Sequence, residues 1–237
     1  MTKKILITGA NGQLGHEMRN ALKGNNRFEC IFTDVAELDI CNTEAVKQTM
    51  ANNHIDYIVN CAAYTQVDKA EDNAELCKKI NTDAVENLAR AAADYGARMI
   101  HISTDYVFNG RGYRPYTEDM VPDPQSVYGS TKLEGEKILT DICPESIIIR
   151  TAWLYSPYGN NFVKTMLHLG EEREELSVVA DQIGTPTCAA DLAQAILVIL
   201  QADTFVPGTY HFSDEGVCSW YDFTVTIHRL AGITTCR

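Results

Sequence analysis

Lys4-Ile-Leu-Ile-Thr8, running directly into Gly9-Ala-Asn-Gly12-Gln-Leu-Gly15, is the stretch on which the fold is decided. The apolar, β-branched run suits a parallel strand buried on both faces. His16 to Lys23 continues in helical composition until Gly24 stops it. Strand, glycine turn and helix stand in the order that a phosphate-binding fold requires. Glycines let the backbone turn tightly and approach a pyrophosphate, whose charge is stabilised by the free N–H groups and positive dipole end of the helix. A glycine triplet alone is as readily an ordinary tight turn, so the neighbouring elements must discriminate.

Phe28-Glu-Cys-Ile-Phe-Thr-Asp34 reads as a second strand. Asp34 falls about twenty residues beyond the last glycine, where a carboxylate can accept hydrogen bonds from a ribose 2′-OH; as an acid in a turn it also has a purely local role. Thr43 to Ala51 is predicted helical, Ile55 to Asn60 a third strand leading into Cys61-Ala-Ala-Tyr64, Glu71 to Lys79 and Asn81 to Tyr95 helical, and Arg98 to Ser103 a fourth strand ending in Thr104-Asp105. Apolar strands alternating with helices argue for an α/β, doubly wound parallel sheet, with ligands at the carboxyl ends of its strands.

Phe108 to Asp123 is expected to be a long ordered loop. Ser126-Val-Tyr-Gly-Ser-Thr-Lys132 then opens a helix from Tyr128 to Leu139, placing a phenol and an ammonium four residues apart on one face. Chance supplies such a pairing about half the time, so its meaning depends on its company. Ser146 to Arg150 is a fifth strand. The rhythm then changes: a helix over Asn161 to Leu169, a strand over Leu176 to Ala180, a turn at Thr185-Pro-Thr187, a helix over Ala190 to Leu200, a strand over Thr209 to Phe212 and a helix over Tyr221 to Leu230. The expected division is a dinucleotide-binding unit over residues 1–150 and a smaller mixed α/β region over 151–237, some of whose elements pack back on the first unit.

Composition narrows the function. At 45% hydrophobic and 22% charged residues the chain is of globular type, and its formal charge of −12 repels phosphate backbones, excluding nucleic acid as a partner. The 8 Cys show no CxxC or Cys/His spacing, so neither a zinc site nor a disulfide framework is indicated, and reduced thiols fit a cytoplasmic location. Lys3-Lys4 before Ile5-Leu-Ile7 is too short for a signal peptide, and Ala193 to Leu200 is too short to span a bilayer, so no membrane association is expected.

Gly9-xx-Gly12-xx-Gly15, Thr104 and Tyr128-xxx-Lys132 together resemble the extended short-chain dehydrogenase/reductases, which implies a Rossmann fold. Four further stretches are similar to the dTDP-4-dehydrorhamnose reductase family: Asn60-Cys-Ala-Ala-Tyr-Thr-Gln-Val-Asp-Lys-Ala-Glu71, Ile102-Ser-Thr-Asp-Tyr-Val-Phe-Asn-Gly110, Arg150-Thr-Ala-Trp-Leu-Tyr155 and Asp181-Gln-Ile-Gly-Thr-Pro-Thr187. The resemblance runs over essentially the whole chain. It implies reduction of the 4-keto group of a dTDP-linked 6-deoxyhexulose to dTDP-L-rhamnose. It also implies a cofactor site on Gly12, Gln13 and Leu14 between Gly9 and Gly15, with Asp34 near the ribose, Asp39-Ile40 by the adenine, and Ala63, Tyr64 and Thr65 along the cofactor, where Tyr128 and Lys132 also lie. Thr104, Asp105 and Trp153 would meet the sugar. Asp39 as a solvated residue and Trp153 as a core aromatic are the alternatives. The family continues for some tens of residues beyond Arg237, so a chain shortened at that end is the expectation.

The chemistry has its own logic. Hydride addition to a ketone creates an alkoxide that needs a proton, and Tyr128 is the expected donor. Moving a phenol from pKa about 10 to about 7 takes roughly 4 kcal/mol, which one ammonium about 4 Å away supplies at an effective dielectric of about 20. Lys132 is the candidate for that role, and Thr104 the candidate to orient the carbonyl. No Arg or Lys lies within the glycine turn or directly after Asp34, so NADH is expected to serve at least as well as NADPH. Some relatives use Mg2+ at a subunit interface, but the sequence indicates no metal ligand; monomer and homodimer are equally open. A nucleotide-sugar 4,6-dehydratase would carry Asp-Glu after Thr104, where Asp105-Tyr106 stands. A non-catalytic nucleotide-binding subunit, like the regulatory subunit of methionine adenosyltransferase, is the reading from another class.

Overall fold

The computed structural model describes residues 2–236; Met1 and Arg237, the outer ends of the two expected regions, lie outside the described residues. The chain runs β1 (Lys3–Thr8), α1 (Gln13–Leu22), β2 (Phe28–Phe32), α2 (Thr43–Asn53), β3 (Tyr57–Asn60), α3 (Val67–Asp72), α4 (Ala74–Lys78), a π-helical turn (Lys79–Asp83), α5 (Ala84–Tyr95) and β4 (Arg98–Thr104). It continues through α6 (Val127–Ile142), β5 (Ile147–Thr151), β6 (Leu154–Tyr155), α7 (Phe162–Glu172), β7 (Ile183–Gly184), β8 (Thr187–Cys188), α8 (Ala189–Gln201), β9 (Gly208–His211), β10 (Cys218–Ser219) and α9 (Trp220–Ala231).

Six strands form one parallel sheet in the order β2-β1-β3-β4-β5-β9. Alternation along each strand sends Leu6, Ile58, Met99 and Ile148 to the face covered by α2, α5 and α6, and Ile5, Ile7, Val59, Ile100, Ile147 and Ile149 to the face covered by α1 and α8. The doubly wound α/β sheet read from the sequence is therefore the fold. Burial on both faces explains the continuously apolar strands, each large side chain so buried adding about 1.5–3 kcal/mol.

Local chemistry sets the helix ends. Asn42 caps α2 by accepting the Glu44 and Ala45 N–H groups, Ser126 caps α6 by accepting the Gly129 N–H, and Ser219 with Asp222 forms a reciprocal capping box on α9. Gly96 closes α5 in the left-handed region at φ 68°.

Three expectations are corrected. Residues 176–180 form no strand: no neighbouring strand offers them a ladder, and the Val179 carbonyl instead accepts the Tyr221 N–H at 3.0 Å. The helix expected over Glu71–Lys79 is broken at Asn73, which leaves helical geometry (φ −127°, ψ 42°) and bonds its amide to the Lys69 carbonyl at 2.8 Å. At the turn expected over Thr185–Thr187, Thr187 already belongs to β8, and the late strand is Gly208–His211, which extends the main sheet beside β5.

Candidate functional site

At the carboxyl end of β1 the chain turns through Gly9 at φ 63°, and a Cβ there would come within 2.7 Å of the Ala62 backbone. A Cβ on Gly15 would collide with the Gly9 carbonyl, so two glycines are demanded by backbone approach. Gly12 precedes α1 with no side-chain cap, which leaves the first-turn N–H groups of that helix available. Gly9, Gly12, Asp34, Asp39, Ile40 and Ala63 line one cleft of about 560 Å³. The Asp34 carboxylate spans the glycine turn and β2, accepting the Asn11 N–H at 2.9 Å and the Val35 N–H at 2.8 Å. Asp39 is exposed and accepts the Cys41 N–H at 2.9 Å.

The other expected cofactor residues are placed differently. The Leu14 side chain is buried in the core beneath α1, leaving only its backbone for a ligand. Gln13 turns away from the cleft, donating to the Leu154 carbonyl at 3.4 Å and accepting from Asn161 at 2.8 Å and Ser156 at 3.4 Å. Tyr64 is fixed by Asn81, whose amide accepts its N–H at 2.9 Å and donates to its carbonyl at 3.1 Å, and Thr65 is exposed. Lys79, from the π-helical turn, joins the cleft wall and supplies a cation that proximity in sequence to Asp34 did not reveal.

Tyr128 and Lys132 lie on the buried face of α6, and the Tyr128 ring meets Tyr106 edge-on at 5.5 Å. Burial pushes the Tyr128 phenol well above its ordinary value; a hydrogen bond with Thr104 pulls it down, and the nearby Asp105 pushes it further up. The expected tuning of Tyr128 by Lys132 is not the governing influence. The Lys132 amine donates to the Ile102 carbonyl at 2.6 Å and stands 3.3 Å from His101 Nε2, and burial lowers it to about 8. Thr104 ends β4 and its hydroxyl donates to Asp105 at 3.1 Å. Burial raises Asp105 to about 6, against the hydrogen bond from Thr104.

Asp105 lines a second cavity of about 480 Å³ together with Arg114, Tyr116, Arg150, Thr151 and Gly184. Trp153 stands behind Gly184, whose Cβ would lie 2.5 Å from the indole, and stacks on Trp220 at 3.4 Å between ring centroids. Its backbone is left-handed at φ 49°, a conformation that costs a non-glycine residue on the order of 1–3 kcal/mol.

Two polar groupings were not foreseen. Thr8, Asn60 and His101 are directly paired across β1, β3 and β4 and run toward Lys132. The buried Glu136 of α6 holds Arg150 of β5 through contacts of 2.7, 3.0 and 3.2 Å. The available signals were Thr8 and Asn60, the polar residues that end β1 and β3, and His101, which interrupts the apolar run of β4. Among the described residues no cluster of three His, Cys, Asp or Glu could hold a metal ion, and no helix is long and apolar enough to cross a membrane.

Residues 3–236 match the family model described as the RmlD substrate binding domain. The chain is 46% identical over 240 residues to a dTDP-4-dehydrorhamnose reductase of Escherichia coli K12, covering 97% of this chain and 79% of that one. The structure of a dTDP-4-dehydrorhamnose reductase from Clostridium acetobutylicum superposes with a TM-score of 0.94 at 51% identity, covering 99% of this chain and 82% of that one. That of the Bacillus anthracis dTDP-4-dehydrorhamnose reductase in complex with NADP superposes with a TM-score of 0.95 at 43% identity, covering 99% and 83%.

Proposed function

Because the chain belongs to the family of the RmlD substrate binding domain, we infer that it reduces the 4-keto group of dTDP-4-dehydro-6-deoxy-L-mannose to give dTDP-L-rhamnose, using NADPH or NADH. What supports this reading is a glycine-turn cleft at the end of β1 in the same parallel sheet whose β4 ends in Thr104, with Tyr128 hydrogen-bonded to Thr104 and Lys132 bound to the Ile102 carbonyl. The cleft fits a dinucleotide: Gly9 on its wall and Gly15 behind it admit no Cβ, an uncapped helix N-terminus faces the turn, and the Asp34 carboxylate stands where a ribose would be held. Gly9, Gly12, the backbone at Gln13 and Leu14, Asp34, Asp39-Ile40 and Ala63 to Thr65 would hold it. When bound, its reduced nicotinamide supplies the hydride.

The chain's own residues supply the rest. Tyr128, kept protonated by burial, gives its proton to the developing alkoxide. Thr104 holds the carbonyl oxygen toward the phenol. Lys132 opposes the negative charge left on Tyr128. Asp105 and Trp153 shape the sugar side, the first from the wall of the second cavity and the second from behind Gly184. The sugar side would be shared between the loop after β4 with Arg150 and residues 151–217, while the dinucleotide cleft is lined by residues of the first region alone. Lys79 favours NADPH and Asp34 favours NADH, which supports use of both.

Mixing the protein with reduced cofactor and the keto-sugar nucleotide and following the nicotinamide absorbance tests the reading. Loss of absorbance with appearance of dTDP-L-rhamnose is the expected result; no oxidation under any condition would favour a non-catalytic binding module.

A further inference from the structure

The orientation of Asn60 is fixed by its neighbours. Its Oδ1 accepts the Ala62 N–H at 3.2 Å and the Thr8 hydroxyl at 2.7 Å, and a backbone N–H can only donate. Its Nδ2 therefore faces His101 Nδ1 at 3.0 Å as a donor. His101 is completely buried, and with Nδ1 accepting, its single ring proton is on Nε2. That N–H points at the Lys132 amine, 3.3 Å away. An ammonium there meets N–H with N–H, whereas the neutral amine turns a lone pair toward it.

We propose that His101 is a positioning residue for the reductase: locked as the Nε2-protonated tautomer by the Thr8–Asn60 pair, it opposes the ammonium form of Lys132 and so sets the alkaline limit of turnover. The proposal rests on Lys132 as the electrostatic partner of Tyr128.

Two groups facing Lys132 work against this arrangement, and each is engaged elsewhere. Glu136, one turn along α6, favours the ammonium, but its carboxylate is engaged by the Arg150 guanidinium from β5. Cys77 from α4 also favours it and shares its thiol with Thr131 at 3.2 Å. Tyr128 on α6 holds its proton well above neutrality. Among the described residues no carboxylate forms an ion pair with Lys132, so burial prevails over Glu136 and Cys77, and Lys132 is the first of the pair to lose its proton as pH rises.

Two measurements on the full chain test the inference. In protein labelled with 15N-histidine, the His101 ring should show the Nε2–H pattern with no titration between about pH 6 and 9; an Nδ1–H pattern or an imidazolium overturns the proposal, and this measurement requires no stability of a variant. In the pH profile of kcat, His101→Leu should move the alkaline limb upward by about one unit, because the opposing N–H is gone; an unmoved limb overturns it. Retained turnover in Tyr128→Phe would instead remove the acid assignment and leave the tautomer result standing, so the two failures are distinguishable.

Discussion

At Tyr128 burial and chemistry pull together for a reductase. A phenol whose pKa is raised is protonated throughout the neutral range and always ready to donate, while the anion it leaves needs a nearby positive charge. Tyr128→Phe should therefore lower kcat by about 10²–10⁴ while cofactor affinity, measured by nicotinamide fluorescence titration, stays near normal. Retained turnover would take Tyr128 out of the acid role. Glu136 illustrates a residue whose importance is structural. Its side chain and that of Arg150 are 5% and 7% exposed, and the guanidinium also lies over the Phe108 ring at 5.2 Å. Glu136→Ala leaves a buried, unpaired cation and should cost about 3–5 kcal/mol, read as a lowered urea midpoint with unchanged slope. Glu136→Gln should cost less, since its amide oxygen still accepts.

At the scale of elements, α6 carries Tyr128 and Lys132 and its position is set by glycine. A Cβ on Gly129 would collide with the Tyr106 carbonyl and lie 3.1 Å from Pro124 Cβ. On a free helix Gly→Ala stabilises by about 1 kcal/mol; here the collision reverses the sign, and Gly129→Ala should cost about 1–3 kcal/mol. Because the whole helix must shift, kcat should fall together with Tm, and an active, more stable Gly129→Ala protein would contradict this packing. These elements also show what the sequence can and cannot reveal. The first five strands of the sheet were legible because burial on both faces forces unbroken apolar runs, and so were the shared cleft of Gly9, Gly12 and Asp34 and the shared face of Tyr128 and Lys132, because those spacings follow from turn and helix geometry. The place of β9 in the sheet was not, since Gly208-Thr-Tyr-His211 carries no such run and forms one edge. Two-residue strands, the break at Asn73 and the arrival of Lys79 in the cleft depend on tertiary contacts that local pattern does not encode. His101 drew no reading from the sequence, because its meaning required the cross-strand register with Asn60 and the approach of α6.

For the molecule as a whole, stability against pH is a balance of carboxylates with opposite sign. Asp119 and Asp222 are held below their ordinary value, chiefly by hydrogen bonds from Thr117 and Ser219, so their stabilisation is present at neutral pH and lost as pH falls. Asp105 runs the other way. Its folded pKa, raised from 3.8 to about 6 by burial, means that the native state binds the proton more tightly than the unfolded chain. Its contribution is thus fully present below 3.8, declines as pH rises toward about 6, and leaves a constant penalty above that. Asp105→Asn keeps the shape and removes the penalty. Its stability relative to the parent should improve by about 1 kcal/mol more at about pH 8 than at about pH 5, since the remaining titrations are common to both proteins and cancel. Urea denaturation of the pair at the two pH values measures this, and an equal difference at both would show that Asp105 does not titrate as described. The same variant should raise KM for the keto-sugar nucleotide, because the carboxylate lines the cavity proposed for the sugar. A half-buried acid that weakens the fold at neutral pH is what a site selected for binding, and not for stability, would retain.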